Sequence, residues 1–187
     1  MPDISPRNSS SIATRTGDQG VTSLLYGQRV AKNHPQIESV GSLDELNAAI
    51  GFAKATGPSG ANHTELERIQ KELVALMGEI TCAETDSLRY ADSNFAKVGE
   101  ANLAWLDASI SAIESRHPKF DGWATPGANL HAAAFDLART SARRAERQLV
   151  GLPGQGKSVR PVLVQYINRL SDLLWLLARE AEHPKAI

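Results

Sequence analysis

Four arginines fall within nine residues of the stretch "ARTSARRAER": Arg139, Arg143, Arg144 and Arg147. At 3.6 residues per turn, Arg139, Arg143 and Arg147 form one helical stripe that drifts about 40° per step. Glu146 falls near Arg139 and Arg143, and Leu130, Leu137 and Ser141 lie on roughly the opposite side. A guanidinium is always charged, and its planar fork matches phosphate. The one carboxylate within that stretch cannot neutralise four cations, so the stripe calls for an anion from elsewhere. A solvated, salt-bridged face is the ordinary alternative for such a run.

The segment "TRTGDQGVTSLLYGQRVAK", Thr14 to Lys32, precedes the first helix-like pattern. Gly17 and Gly20 permit turns that aim backbone N–H groups inward. Thr14, Thr16, Thr22 and Ser23 add hydroxyls, and Arg15, Arg29 and Lys32 add charge. Together they suit a polyphosphate cradle; a solvent-exposed Ser/Thr-rich arm is the alternative. Two further polar pairings stand inside apolar patterns. In "SLDELN", Asp44 and Asn47 are three residues apart and can share a helix face, and Asp44 offers the arginine stripe an acid. In "YINRLSD", Asn168, Ser171 and Asp172 form a polar stripe. Its groups either hydrogen-bond between helices, since unpaired buried polar groups are costly, or Asn168 meets an adenine or ribose.

Gly151 to Ser158, "GLPGQGKS", fits the Walker A pattern letter for letter. A phosphate loop also needs a buried strand before it and a helix opening at its end. Here the preceding "RTSARRAERQLV" is charged, alanine-rich and helical, Pro161 follows soon after, and no apolar run ends in a Walker B aspartate. A glycine-rich turn between two helices is the expected structure.

These residues need elements to hold them. The spacing predicts a first helix from Pro35 to Ala55, with Ile37, Val40, Leu43, Leu46, Ile50 and Ala53 on one face. A second starts near Asn62, where Asn62 and Glu65 read as a capping box, and carries Leu66, Ile69, Leu73, Leu76 and Ile80. After a polar stretch from Glu84 to Asn94, a third carries Leu103, Leu106, Ile110 and Ile113, with Pro118 just past its end. "DGWATPGAN", Asp121 to Asn129, is a loop. A fourth helix spans Asn129 to Val150, and a fifth carries Leu163, Ile167, Leu170, Leu174 and Leu177. No segment reads as a convincing strand. The expected fold is all-α: a five-helix antiparallel bundle with an N-terminal nucleotide-binding loop. One domain is expected over residues 1–187, with 1–13 a loose polar tail.

Bulk composition narrows the function. Twenty Lys and Arg stand against 21 Asp and Glu, a formal net charge of −1. That balance gives no general footprint for nucleic acid or an anionic membrane surface. No apolar run approaches a membrane span, and the first residues lack the apolar core of a secretory signal. The single cysteine, Cys82, cannot form an internal disulfide or a cysteine-rich zinc site, and points to a reducing, cytoplasmic setting.

Taken together, four blocks resemble the PduO-type ATP:cob(I)alamin adenosyltransferases, the corrinoid adenosyltransferases. They are "TRTGDQGVTSLLYGQRVAK", "ESVGSLDELNAAIGFA", "WATPGANLHAAAFDLARTSARRAERQLV" and "YINRLSDLLWLLARE", in the family's order and spacing from Thr14 to Glu180. The resemblance implies a homotrimeric helical bundle that binds ATP between neighbouring subunits. It further implies transfer of the 5′-deoxyadenosyl group of ATP to the cobalt of reduced cobalamin, with release of triphosphate. It assigns ATP to Thr14, Arg15, Thr16, Gly17, Thr22, Ser23 and Lys32, to Arg143, Arg144, Ala145, Glu146 and Arg147, and to Asn168. It pairs Arg139 with Asp44, across a subunit boundary, on the corrinoid side. Implied companions are Mg²⁺ and a reductase or cobalamin-dependent enzyme. The chain departs from the family where Trp123 and Pro126-Gly127-Ala128 replace the usual Phe and Pro-Gly-Gly; the family aromatic crowds the lower corrinoid face, and Trp123 is a large flat group that can do the same.

Overall fold

The computed structural model describes residues 13, 15–58, 62–116 and 123–182. Thr14, Pro118, Asp121, Gly122 and the first twelve residues of the expected tail lie outside the described residues. A hairpin of β1 (Val21–Ser23) and β2 (Arg29–Ala31) leads into α1 (Pro35–Thr56) and α2 (His63–Thr81). The short α3 (Ser87–Ala91) precedes α4 (Glu100–Glu114), α5 (Leu130–Gly151) and α6 (Pro161–Glu182). The five long helices stand where the apolar spacing puts them. Two elements were not expected: the hairpin, and α3 with the 3₁₀ turn Glu84–Asp86 before it. A three-residue strand is too short to display a period of two. The hairpin is instead closed by its loop, where the Leu24 and Gly27 N–H groups bond the Gln28 and Leu24 carbonyls at 2.8 and 3.0 Å, with Gly27 at φ +95°.

Contacts between helices fix their directions. Gln36 at the start of α1 donates to the Ile80 and Cys82 carbonyls at the end of α2. The far end of α1 meets the start of α5 through Thr56 and His131, 3.4 Å apart. Asn168 of α6 donates to Glu146 of α5 at 3.1 Å, and Asn129, just before α5, donates to the Ala181 carbonyl in the last turn of α6 at 2.6 Å. Successive long helices therefore alternate in direction. The third and fifth of them, α4 and α6, run parallel, as the pairs Asp107–Arg169 and Arg116–Glu180 require.

The core follows the sequence pattern closely in α2 and α6. Leu66, Ile69, Leu73, Leu76 and Ile80 are fully buried, as are Leu163, Ile167, Leu170 and Leu174, with Leu177 nearly so. Each such side chain contributes roughly 1.5–3 kcal/mol through removal from water. Leu103, Ile110, Ile37 and Val40 are only half-buried. Asn62 does not form a capping box: it takes a left-handed conformation, φ 54°, and its side chain makes no cap bond. A buried polar joint links three helices at Glu72, which accepts from Asn102 at 2.8 Å and from the Tyr166 hydroxyl at 2.7 Å.

In α5 the two leucines opposite the arginine stripe face outward. Leu130 and Leu137 are 64% and 58% exposed, while Ala132, Ala134, Ala138, Ala142 and Ala145 are buried with Phe135 and Leu149. The helix lies between α1 and α6, so its buried arc is wide, and small side chains let both neighbours approach. Arg139 falls at the edge of that arc; Arg143 and Arg147 drift out of it into solvent.

His131 seats its ring over Gly57, where an added Cβ would lie 2.6 Å from the ring. Burial lowers the His131 pKa, against a backbone hydrogen bond to Ala53. The neutral form is thus favoured by folding, and its contribution is complete above the unfolded value of about 6.5 and is lost as pH falls through the lower folded value. Melting curves between about pH 7.5 and about pH 5 should show an acid-side loss of stability that becomes shallower in His131→Gln.

Candidate functional site

The expected cradle residues within the described chain share one small structure. Arg15 adopts φ 59° and Gly20 φ 74°, so the chain reverses tightly, with the Gly20 N–H bonded to the Gly17 carbonyl at 3.1 Å. Arg29 braces the turn: its guanidinium donates to Ser23 Oγ at 3.0 Å and to the Thr16 carbonyl at 2.9 Å. Arg29 is therefore a strut, not the available charge the sequence suggested. Lys32 lies over Gly17, whose missing Cβ would sit 2.9 Å from Nζ, and its N–H bonds the Gly20 carbonyl. Arg15, Thr16, Gly17, Thr22, Ser23 and Lys32 thus surround one turn and hairpin. The hairpin docks on α2 and α3: the Leu25 N–H bonds the Thr81 carbonyl at 3.1 Å, Gln28 bonds Asp86, and Arg89 stacks 3.8 Å above the Tyr26 ring.

A second cluster forms where α5 meets α6. Asn168 holds Glu146 with its amide nitrogen and accepts from Arg169 at 3.2 Å with its oxygen. The interhelical bond expected of a polar stripe is present, and the amide still sits at the surface. Arg143 and Arg147 are exposed and join no ion pair among the described residues. Partial burial raises the Asp172 carboxyl, opposed by the charges of Arg169 and Arg143. Next to it a cleft of about 720 Å³ opens between α4 and α6, lined by Asp107, Glu114, Arg169, Asp172 and Trp175. Arg143, Glu146, Asn168 and Arg147 are thus brought together; Ala145 is buried beneath them. Because α5 runs antiparallel to α1, this half of α5 lies toward the hairpin end of the bundle.

Two of the arginines have partners within the subunit. Arg144 pairs with Glu45, so it ties α5 to α1. Arg139 donates through Nε to Asp136 of its own helix at 2.8 Å. Asp44 and Asn47 differ in burial: Asp44 is exposed, whereas the side-chain oxygen of Asn47 is buried, and the Asn47 backbone carbonyl accepts from Gln70 of α2 at 3.2 Å. Three residues along a helix are still about 60° apart, enough to place one outside and one at the seam. Sequence reasoning missed Asp136, whose signal was its position three residues before Arg139, and Arg179, for which spacing along one helix offers no signal.

A third surface is apolar. Trp123 is 95% exposed, and Phe52, Leu130 and Leu137 are about half exposed or more. Phe52 and Leu137 lie one heptad from the paired Glu45 and Arg144 on antiparallel helices, and so emerge on the same side.

The Walker-like octapeptide is a helix-to-helix turn. The chain passes from α5 through the 3₁₀ turn Pro153–Gln155, with Gly156 at φ 82°, and α6 begins only at Pro161. Lys157 is buried and pairs with Glu84 at 3.5 Å. The Ser158 N–H bonds the same Glu84 oxygen at 3.0 Å. Hydrogen bonds from Ser158, then the Lys157 charge, hold the Glu84 carboxyl below its usual range.

Comparison with known proteins places this architecture. Residues 12–181 match the cobalamin adenosyltransferase family, and the chain belongs to that family. It is 41% identical to the corrinoid adenosyltransferase PduO of Citrobacter freundii over 92% of this chain and 50% of that protein. A corrinoid adenosyltransferase of the same organism is 33% identical over 91% of this chain and 94% of its own length. The chain spans about half the length of the PduO relatives it matches. Its structure superposes with TM-score 0.83 and 31% identity on a variant PduO-type ATP:corrinoid adenosyltransferase from Lactobacillus reuteri complexed with cobalamin and ATP. That match covers 92% of this chain and 94% of the other. A second variant of that enzyme, complexed with ATP, superposes with TM-score 0.81 at 30% identity, covering 92% and 94%.

Because Lys157 is buried and paired, Lys157→Ala should lower stability by about 1 kcal/mol, from lost stem packing and the lost pair. Nucleotide turnover should persist; thermal melting alongside an activity assay checks both halves.

Proposed function

We propose that this chain transfers the 5′-deoxyadenosyl group of ATP to the Co(I) centre of a reduced corrinoid, yielding an adenosylcorrinoid and triphosphate. The observation that carries the reading is the face where Arg143, Glu146 and Asn168 converge, in a chain of this family whose neighbours of known structure hold ATP and cobalamin. In the step, Co(I) attacks C5′, the cobalt–carbon bond forms, and the C5′–O5′ bond breaks. Its electron pair leaves on the triphosphate oxygen. The nucleophile comes with the substrate, so the protein needs no base; it must place C5′ in line with cobalt and stabilise the leaving charge. Arg143 and Arg147, exposed and unpaired among the described residues, suit the second task, with Lys32, Arg15 and the hairpin N–H groups gripping the tail. Asn168 and Glu146 suit the nucleoside.

The two halves of this site are held by different elements, the hairpin by α2 and α3 and the arginines by α5 and α6. We therefore read the assembly as a homotrimer in which a hairpin of one subunit closes on α5 and α6 of the next. The exposed run of Phe52, Leu130 and Leu137 gives such an interface its apolar surface, and Asp44 of one subunit is free to meet the outward nitrogens of Arg139 in another. Among the described residues no group of three or more acidic, His or Cys side chains could hold a metal. Mg²⁺ is accordingly read as an ion carried on the triphosphate, where it neutralises charge. The free, buried Cys82 fits a reducing cytoplasm, where a reductase would supply the electron that takes Co(II) to Co(I).

Trp123 offers a bare indole to the lower face of the macrocycle. Excluding a donor from that face removes what stabilises Co(II) against reduction. The deciding experiment is incubation with ATP, Mg²⁺ and chemically reduced cobalamin, following the visible spectrum for the alkylated product; no spectral change would reject the reading. Arg143→Ala should reduce kcat/KM at least tenfold, equivalent to about 1.4 kcal/mol of transition-state stabilisation. Trp123→Ala should leave ATP affinity near the parent value but slow adenosylation from cob(II)alamin under a weak reductant, which stopped-flow absorbance would reveal.

A further inference from the structure

We infer that the last turn of α6 is the seat of the corrinoid side of the site: it positions Arg139 through the buried Asp136, and the Trp123 loop through Asn129. This rests on the reading above that Arg139 and Trp123 serve the corrinoid.

Asp136 is about 5% exposed, and both its oxygens are taken. Oδ1 accepts from Arg139 Nε at 2.8 Å, and Oδ2 accepts from Arg179 Nη2 at 2.6 Å. Arg179 is itself buried, reaches Glu182 at 2.9 Å, and rests 5.5 Å from the centre of the Trp175 ring. Two cations and two anions thus form a neutral cluster that can stay out of water. Its asymmetry is informative. Arg179 is bonded through Nη2, with its Nε buried and unbonded, whereas Arg139, 22% exposed, is bonded through Nε alone, which leaves its two terminal nitrogens unbonded among the described residues. A guanidinium held in this way is oriented before any ligand arrives, which is what positioning requires.

The same turn holds the second element. Asn129 caps α5 by accepting from the Ala132 N–H at 2.9 Å, and with its other amide atom it donates to the Ala181 carbonyl. Asn129 ends the loop that carries Trp123. Residues 179–182 therefore hold Asp136, which bonds Arg139, and Asn129, which ends the loop that carries Trp123, while Asn168 lies three turns earlier on the same helix. Asp136 and Arg179 are positioning residues for the corrinoid half, separate from the ATP half.

Steady-state kinetics with each substrate varied, run with thermal melting on the full chain, test this. Asp136→Asn should raise KM for the corrinoid by about tenfold while KM for ATP moves less than about twofold. Arg179→Lys should recover most of the parent behaviour. Asn129→Ser keeps a helix cap but cannot reach Ala181; it should slow the reaction that starts from cob(II)alamin and leave the reaction of chemically made cob(I)alamin near the parent rate. Unchanged corrinoid KM in folded Asp136→Asn would overturn the inference. So would a parallel rise in both KM values with a lowered melting temperature, the mark of mere interhelical glue. If Asp136→Asn does not fold, Arg179→Gln, which keeps the Asp136–Arg139 pair, is judged by the same split. Arg139→Ala separates the levels: no change there rejects the role given to Arg139, whereas a change there with none in Asp136→Asn rejects the seat alone.

Discussion

A carboxylate buried inside α5 and shared between two guanidiniums sets the geometry of everything around it. Asp136 cannot be left unpaired in the interior, because a lone buried charge is far more costly than a paired one. It therefore requires Arg179 from α6 on one oxygen and Arg139 from its own helix on the other. That requirement fixes the rotation of α5 about its axis. Once the rotation is fixed, the alanines face α1 and α6, the leucines at 130 and 137 face outward, and Arg143 and Arg147 emerge one and two turns along from Arg139.

The rest of the bundle is consistent with this choice at each level. Five buried alanines in α5 allow close helix packing, and the longer apolar side chains of α2 and α6 fill the space behind. Glu72 repeats the logic of Asp136 elsewhere: a half-buried carboxylate bonded by side chains from α4 and α6 joins three helices. Burial at that joint pushes the Tyr166 hydroxyl well above its ordinary pKa. The raised value favours the protonated hydroxyl that donates to Glu72.

The long helices were legible in the sequence because the apolar period persists over many residues. Leu66 to Ile80 is the clear case. The buried face of α5 was hard to read, because Leu130 and Leu137 point outward and five of its eight buried residues are alanine, which hydropathy weights lightly. The hairpin escaped because its strands have three residues each and depend on tertiary bonds to Thr81 and Asp86. Of the site, the residue types of the cradle and the arginine stripe could be read directly. The division of labour among the arginines could not: Arg29 and Arg144 are struts, Arg139 is tethered, and Arg143 and Arg147 are exposed. Partner identity is a long-range property, and spacing along one helix carries no information about it. The same holds for "GLPGQGKS", whose letters fit a phosphate loop and whose lysine is occupied by Glu84.

An odd number of alternating long helices has a further consequence. The hairpin sits at one pole of the bundle, where α6 begins, and Glu182 closes α6 at the other; the helix itself is about 33 Å long at 1.5 Å per residue over 22 residues. Glu182 thus stands on the far side of the bundle from the turn at Gly17 to Gly20. The two ends of the described chain can therefore be altered independently of each other.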